Sequence, residues 1–136
     1  MKADLHCHTT ISDGSLGISD VIRQADRDNV RYLAITDHDS LASLSRSAVL
    51  GKRYNVTVIP AAEFSAFDPD RGRKVHILCY MPQKPDRLEG LCLRTSEGRM
   101  KLGKSMAMKV LDKYPITLES ILRYSAGSKA IYKCHI

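Results

Sequence analysis

Two histidines stand two residues apart in the run Asp4-Leu5-His6-Cys7-His8-Thr9. On an extended strand, alternate side chains point to one face, so His6 and His8 can both reach one cation. Asp13, just beyond and ahead of Gly14, can ligate a second ion or simply shape a turn. His38 lies between acids in Thr36-Asp37-His38-Asp39, and His76 lies in the apolar run Val75-His76-Ile77-Leu78. The fifth histidine, His135, closes Tyr132-Lys133-Cys134-His135-Ile136, where nearby Lys133 is a candidate phosphate contact. Glu63 follows a β-branched run and can carry a carboxylate to the same place. Imidazole mixed with carboxylate suits zinc, iron or manganese. Several close cations can bind a phosphate and generate hydroxide at neutral pH. The implied chemistry is therefore metal-assisted hydrolysis of a phosphate ester. No GxSxG or Cys/His pairing competes with it, and no Gly-rich phosphate loop suggests an NTPase.

The elements that must hold these residues alternate. Residues 2–9 read as a strand. Ser19 is a plausible N-cap for a helix whose stripe is Val21, Ile22, Ala25 and Val30. Residues 32–36 form a compact apolar strand. Ser40 can cap a second helix, with Leu41, Leu44, Ala48 and Val49 at helical spacing and Asn55 at its end. Residues 56–62 are again strand-like. This βαβαβ rhythm predicts a parallel sheet with helical crossovers, as a barrel or an open doubly wound sheet. In such folds functional groups collect beyond the carboxyl ends of strands, which is where His8, Asp13, His38 and Glu63 fall. Asp37, Asp39 and Asp4 read better as groups that orient the site than as ligands. Cys7 is expected to face away from His6 and His8.

Asp68-Pro69-Asp70-Arg71-Gly72 is a turn signal between residues 63–67 and 75–81, which predicts a hairpin. From 85 to about 127 the residues favour helix, broken at Tyr114-Pro115 and resumed after a capping Thr117. Arg94, Arg99, Lys101 and Lys104 could flank a substrate cleft there, although a helix showing its polar side to water carries the same residues.

Charge is uneven. Residues 1–67 hold seven Lys/Arg against eight Asp/Glu, and residues 68–136 hold fourteen against seven. The second half thus offers positive potential to an anionic substrate. The four cysteines are scattered without a CxxC pair, as expected for reduced thiols. No apolar run is long enough to span a membrane. The start runs directly into a strand, so a cytoplasmic location is expected, and no obligate protein partner is evident. Residues 130–136 read as the beginning of a strand, so the chain is expected to be part of a longer protein. Its open sheet would then expose apolar surface and favour self-association.

These motifs resemble those of the PHP (polymerase and histidinol phosphatase) superfamily of metal-dependent phosphoesterases. Asp4–Thr9 with Ser12-Asp13-Gly14 resembles the first motif and Thr36–Asp39 the second; Ala62-Glu63-Phe64-Ser65 and Val75–Leu78 resemble the next two. The helical stretch leading to Tyr132–Ile136 looks like the branch with a small helical insertion, which includes nucleoside-monophosphate phosphatases and enzymes degrading very short RNAs. The resemblance implies an α/β fold, the N-terminal part of a distorted TIM-like (β/α)7 barrel. Residues 1–84 would form the first half, 85–129 the insertion, and 130–136 the start of a returning strand. It implies two or three divalent ions (Mn, Zn or Fe): one on His6, His8 and Glu63, a second on Glu63, His76 and His135, with Glu63 bridging, and a third on Asp13 and His38. The implied reaction is hydrolysis of phosphate esters of nucleotides or short oligonucleotides by a metal-bound hydroxide. Two departures stand out. Lys133-Cys134 replaces the family's usual Arg-Pro, and lysine cannot make arginine's bidentate fork. The family's later Asp and His ligands are absent from this chain. The alternatives are a catalytically incomplete half-barrel that binds metal or a partner, and a PHP module of a polymerase-linked protein.

Overall fold

Strands pair in parallel wherever a helix separates them. In the computed structural model, which describes residues 1–136, β1 (Lys2–Cys7) passes through α1 (Ile18–Arg27) to β2 (Val30–Ile35). The chain then continues through α2 (Leu44–Arg53) to β3 (Thr57–Val58). The order is β1-β2-β3, and both pairings are parallel. This is the expected βαβαβ unit. Leu33, Ala34 and Ile35 of β2 are all buried, as a strand covered on both faces requires. Ile22 and Ala25, one helical turn apart on α1, close on Leu33, Ile35 and Val56 to make the main core. Asn29 and Asn55 end the two helices with φ of 58° and 52°, a left-handed conformation that asparagine tolerates better than most residues.

The helix starts differ from expectation. α1 begins at Ile18 with Gly17 at the N-cap, so Ser19 lies inside the first turn. Ser40 accepts a hydrogen bond from the Ala42 N–H at 3.3 Å and shapes a loop, and α2 begins only at Leu44. Residues 56–62 are also not one strand. The Ile59 N–H still donates to Leu33 O, but Pro60 has no N–H to continue the ladder. Its carbonyl accepts instead from Met81 N–H at 2.7 Å.

The chain there enters β4 (Ala61–Asp68), which pairs antiparallel with β5 (Arg73–Tyr80), so the predicted hairpin is present. β4 is tied back to the loop after β2: Asp39 N–H donates to Glu63 O at 2.8 Å and Glu63 N–H to Asp37 O at 3.2 Å. These two bonds set His38 beside Glu63.

After a 3-10 turn at Pro85–Leu88 come α3 (Glu89–Leu111) and α4 (Leu118–Tyr124). Thr117 caps α4 as predicted, accepting from Ser120 N–H at 3.1 Å. Ala107, Ile121 and Ile131 form a second, small core. A Cβ at Gly103 would lie 2.4 Å from Ile131 O, so α3 can approach the C-terminal segment only with glycine there. Residues 130–136 are not a strand. Lys133–His135 turn as a 3-10 helix, because the His135 imidazole accepts the Tyr132 N–H at 3.1 Å and draws the backbone into a local bond. No helix of the molecule is long and apolar enough to cross a membrane.

Candidate metal centre

β1, the loops after β1 and β2, and the β4–β5 hairpin bring six of the expected residues together. Glu63 lies near the start of β4 and not beyond the carboxyl end of a strand as expected, because Pro60 divides the third strand from β4. Strand alternation on β1 places His6 Nε2 at 2.8 Å and His8 Nε2 at 3.1 Å from Glu63 Oε2. The hairpin supplies His76. It stands opposite Ser65, while Leu78 stands opposite Glu63, so His76 and Glu63 are diagonal neighbours on one face. His76 Nδ1 reaches Glu63 Oε1 at 2.8 Å. His38 Nδ1 lies 3.7 Å from Glu63 Oε2. On the other side Asp13 faces His8 Nδ1 at 3.2 Å and His38 Nε2 at 3.6 Å.

Asp13 reaches its place because Gly14 passes against the backbone of His8. A Cβ at Gly14 would lie 2.3 Å from His8 O. Asp37 holds the same turn from beneath. Fully buried, it accepts from Thr9 N–H at 2.7 Å, Thr9 Oγ1–H at 2.8 Å and Ser12 Oγ–H at 2.7 Å. Asp39, at a left-handed φ of 49°, accepts from Ser65 N–H and Ser65 Oγ–H, both at 2.8 Å. Both aspartates therefore organise the loops instead of facing the imidazoles, as does Asp4, whose Oδ1 accepts from His6 N–H. Cys7 points the other way, its thiol donating to Ala34 O. Burial, with Asp4 and Asp37 nearby, pushes that thiol up to about 12.

The electrostatics follow from crowding basic rings against two acids. The hydrogen bond to His8 holds Asp13 down at about 2, against an opposing effect of burial. The same bond raises His8 above its ordinary value. Burial would raise Glu63, but the hydrogen bond from His6 and the surrounding imidazoles outweigh it and leave the carboxyl low. Burial lowers His38, and its Nδ1 is enclosed without any hydrogen-bond partner.

Ligand atoms within 4.8 Å of one another fall into three triads: His6–His8–Glu63, His8–Asp13–His38 and His38–Glu63–His76. The first is the set expected for one ion, and the second adds His8 to the expected pair. In the third, His38 stands where His135 was expected. His135 is buried with its Nδ1 accepting the Tyr132 N–H at 3.1 Å, and it falls in none of the three triads. Lys133 is exposed on the same turn. The donor set of four imidazoles and two carboxylates fits a divalent transition metal, and the orphaned Nδ1 of His38 is the kind of atom a cation would satisfy.

Two residues near the cluster make contacts that the sequence does not announce, Arg99 being expected only at a cleft or on a solvated helix face. Arg99, on α3, turns from solvent to donate to Asp39 Oδ2 at 2.9 Å and to Ser65 Oγ. Tyr132 lies against the His38 ring.

A phosphoribosyl 1,2-cyclic phosphate 1,2-diphosphodiesterase of Eggerthella lenta is 37% identical over 138 residues, covering 100% of this chain and 53% of that protein. A 3',5'-nucleoside bisphosphate phosphatase of Chromobacterium violaceum is 34% identical over 106 residues, covering 76% of this chain and 36% of the relative. A solved Bifidobacterium adolescentis structure, described as a metal-dependent phosphoesterase, matches with a TM-score of 0.88 at 26% identity, over 100% of this chain and 48% of its own. The chain thus spans about half the length of the first of these relatives and of that solved structure, and its mixed α/β fold is part of a PHP-type barrel. The PHP domain model matches residues 4–133, and the chain belongs to the PHP-domain family.

Proposed function

We propose that this chain supplies the first half of a metal-dependent phosphoesterase site that hydrolyses phosphate esters of nucleotides or short oligonucleotides. The observation that carries the reading is the Glu63 carboxylate ringed by four imidazoles, with Asp13 closing the far side. His6, His8, Asp13, His38, Glu63 and His76 would hold two or three divalent ions of the manganese, zinc or iron class. Such ions lower the pKa of water and neutralise phosphoryl oxygens.

The chain's own residues do the rest. Glu63 directs one oxygen toward His6 and His8 and the other toward His76, an arrangement suited to bridging. Asp37 and Asp39 fix the loops that carry Asp13 and His38, so the ligands need little reorganisation on binding. Exposed Lys133 offers an ammonium to a phosphate oxygen as a point charge. The excess of Lys/Arg in residues 68–136 favours an anionic substrate. Relatives acting on a cyclic sugar phosphate and a nucleoside bisphosphate support that substrate class. Four unpaired cysteines suit a reducing compartment, and we place the protein in the cytoplasm.

A second reading has its own support. The chain spans about half of the first of those relatives, so it could bind metal and turn nothing over until joined to further ligands. Metal analysis of the purified chain, followed by phosphate release from a nucleoside monophosphate by wild type and Glu63→Ala, separates the readings. The catalytic reading expects at least one ion per chain and a rate that Glu63→Ala abolishes. Bound metal with equal, background rates leaves the binding module.

A further inference from the structure

One ligand of the cluster is held differently from the rest. His6, His8 and His76 each have a carboxylate oxygen within 3.2 Å of a ring nitrogen. His38 has none: its Nδ1 is buried and unpartnered, and its Nε2 stands 3.6 Å from Asp13. A metal-binding histidine is ordinarily oriented by a hydrogen bond at its second nitrogen, so something else must set this ring. Packing does so. The Tyr132 ring lies 5.7 Å from the His38 ring at an interplanar angle of 22°, and its hydroxyl donates to the His38 carbonyl at 3.4 Å. Tyr132 is 8% exposed and is itself covered by Arg99, whose guanidinium carbon sits 4.8 Å from the ring centroid, within cation–π range. Arg99 is anchored in turn by Asp39 in the loop after β2 and by Ser65 on β4, two residues beyond Glu63.

We propose that Tyr132, braced by Arg99, is a positioning residue that sets the orientation of the His38 ring. It thereby governs the two ligand triads that contain His38, while the His6–His8–Glu63 triad, which lacks His38 but shares His8 and Glu63 with the other two, depends on it less. This rests on the metal-binding reading above, and through α3 it ties the helical segment to the metal centre.

The test titrates the full chain with cobalt(II), following heat and visible absorption, and records the imidazole NMR signals of the metal-free chain. Tyr132→Leu removes the aromatic wall. It is expected to weaken the cobalt sites that use His38 by about ten- to a hundredfold, the cost typical of an outer orienting partner, and to affect the His6–His8–Glu63 site less. In the metal-free chain the His38 ring signals shift while those of His6 hold. Tyr132→Phe keeps the ring and is expected to restore wild-type binding. Where Tyr132→Leu does not fold, Arg99→Met decides, since the tyrosine is kept and His38 should still shift. Unmoved His38 signals with wild-type cobalt affinity overturn the proposal, as does equal weakening at every site. A wild-type chain that takes up no cobalt defeats the metal reading alone, because the ring signals still test the positioning.

Discussion

His76 Nδ1 lies 2.8 Å from Glu63 Oε1 although the two residues are not directly opposite in the hairpin. The diagonal offset leaves Glu63 Oε2 free for His6 and His8, so one buried carboxylate serves two strands at once. Replacing it by its neutral isostere should therefore disable both sides together. Glu63→Gln is expected to lower metal affinity by at least about a hundredfold, above the range for losing an outer partner, with little change in secondary structure. Elemental analysis and circular dichroism check this; wild-type metal content in the variant would falsify the bridging role.

His8 stands between the two acids and gives the site a defined pH dependence. Its pKa is raised above 6.5 by the hydrogen bond to Asp13, so the stability it contributes to the metal-free chain is complete below 6.5 and lost as pH rises through the folded value. Asp13 is depressed from 3.8 to about 2, so its contribution is complete above 3.8 and lost as pH falls toward about 2. Between those windows the pair stabilises the fold most. Cations compete with the His8 proton, so metal affinity must move the other way and rise with pH. Urea midpoints measured in chelator and cobalt affinities measured either side of 6.5 should show opposite slopes on the alkaline side. Asp13→Asn should flatten the acid limb.

Much of this site could be read from residue types because its geometry is local. Alternation alone places His6 with His8, and Asp68-Pro69-Asp70-Arg71-Gly72 alone announces the hairpin that brings His76 to Glu63. The parallel unit follows from apolar runs alternating with helical stripes. What could not be read depends on distant contacts or on one bond. Tyr132 meets His38 across 94 positions and Arg99 meets Asp39 across 60, and no periodicity encodes either. His135 has the right type and a matching motif, yet its Nδ1 accepts a local bond from Tyr132 N–H and it joins none of the triads, which residue type alone does not foretell. Pro60 divides a run that β-propensity alone would join.

Asp37 is expected to be among the residues most costly to remove. It is fully buried and accepts from three donors, all on Thr9 and Ser12, which are themselves buried. An unsatisfied buried donor costs about 1–3 kcal/mol, so Asp37→Ala should destabilise by about 3 kcal/mol or more. Asp37→Asn keeps an acceptor oxygen and should cost less. Denaturant unfolding of the metal-free variants measures both, and a midpoint for Asp37→Ala within error of wild type would refute the account of this turn.

Gly14 makes a sharper test of how Asp13 is placed. An added methyl would collide with His8 O, and that oxygen belongs to backbone, so the loop itself must shift. The shift would pull Asp13 from His8 and His38 while leaving His6, Glu63 and His76 in register. Gly14→Ala should therefore lower the metal stoichiometry by the Asp13 site and return His8 toward its ordinary titration. NMR titration of the imidazoles would decide it, with an unchanged His8 counting against the assignment.

The hairpin carries the last consequence. Phe67, Ile77 and Met81 are each more than half exposed, and the outer edge of β1 has no partner strand. Phe67 and Ile77 lie on opposite faces of the hairpin, and unpaired edges together with exposed apolar side chains favour association with another chain. The isolated chain should therefore sediment as a concentration-dependent mixture of monomer and larger species. Ile77→Lys places a charge on the exposed face of β5 without touching the cluster, so it should shift that mixture toward monomer while metal uptake is preserved. Sedimentation velocity over a range of concentrations gives the answer: a single monomeric boundary throughout for the wild type would mean that these apolar side chains are not sticky enough to matter, whereas suppression by Ile77→Lys would locate the contact on the hairpin.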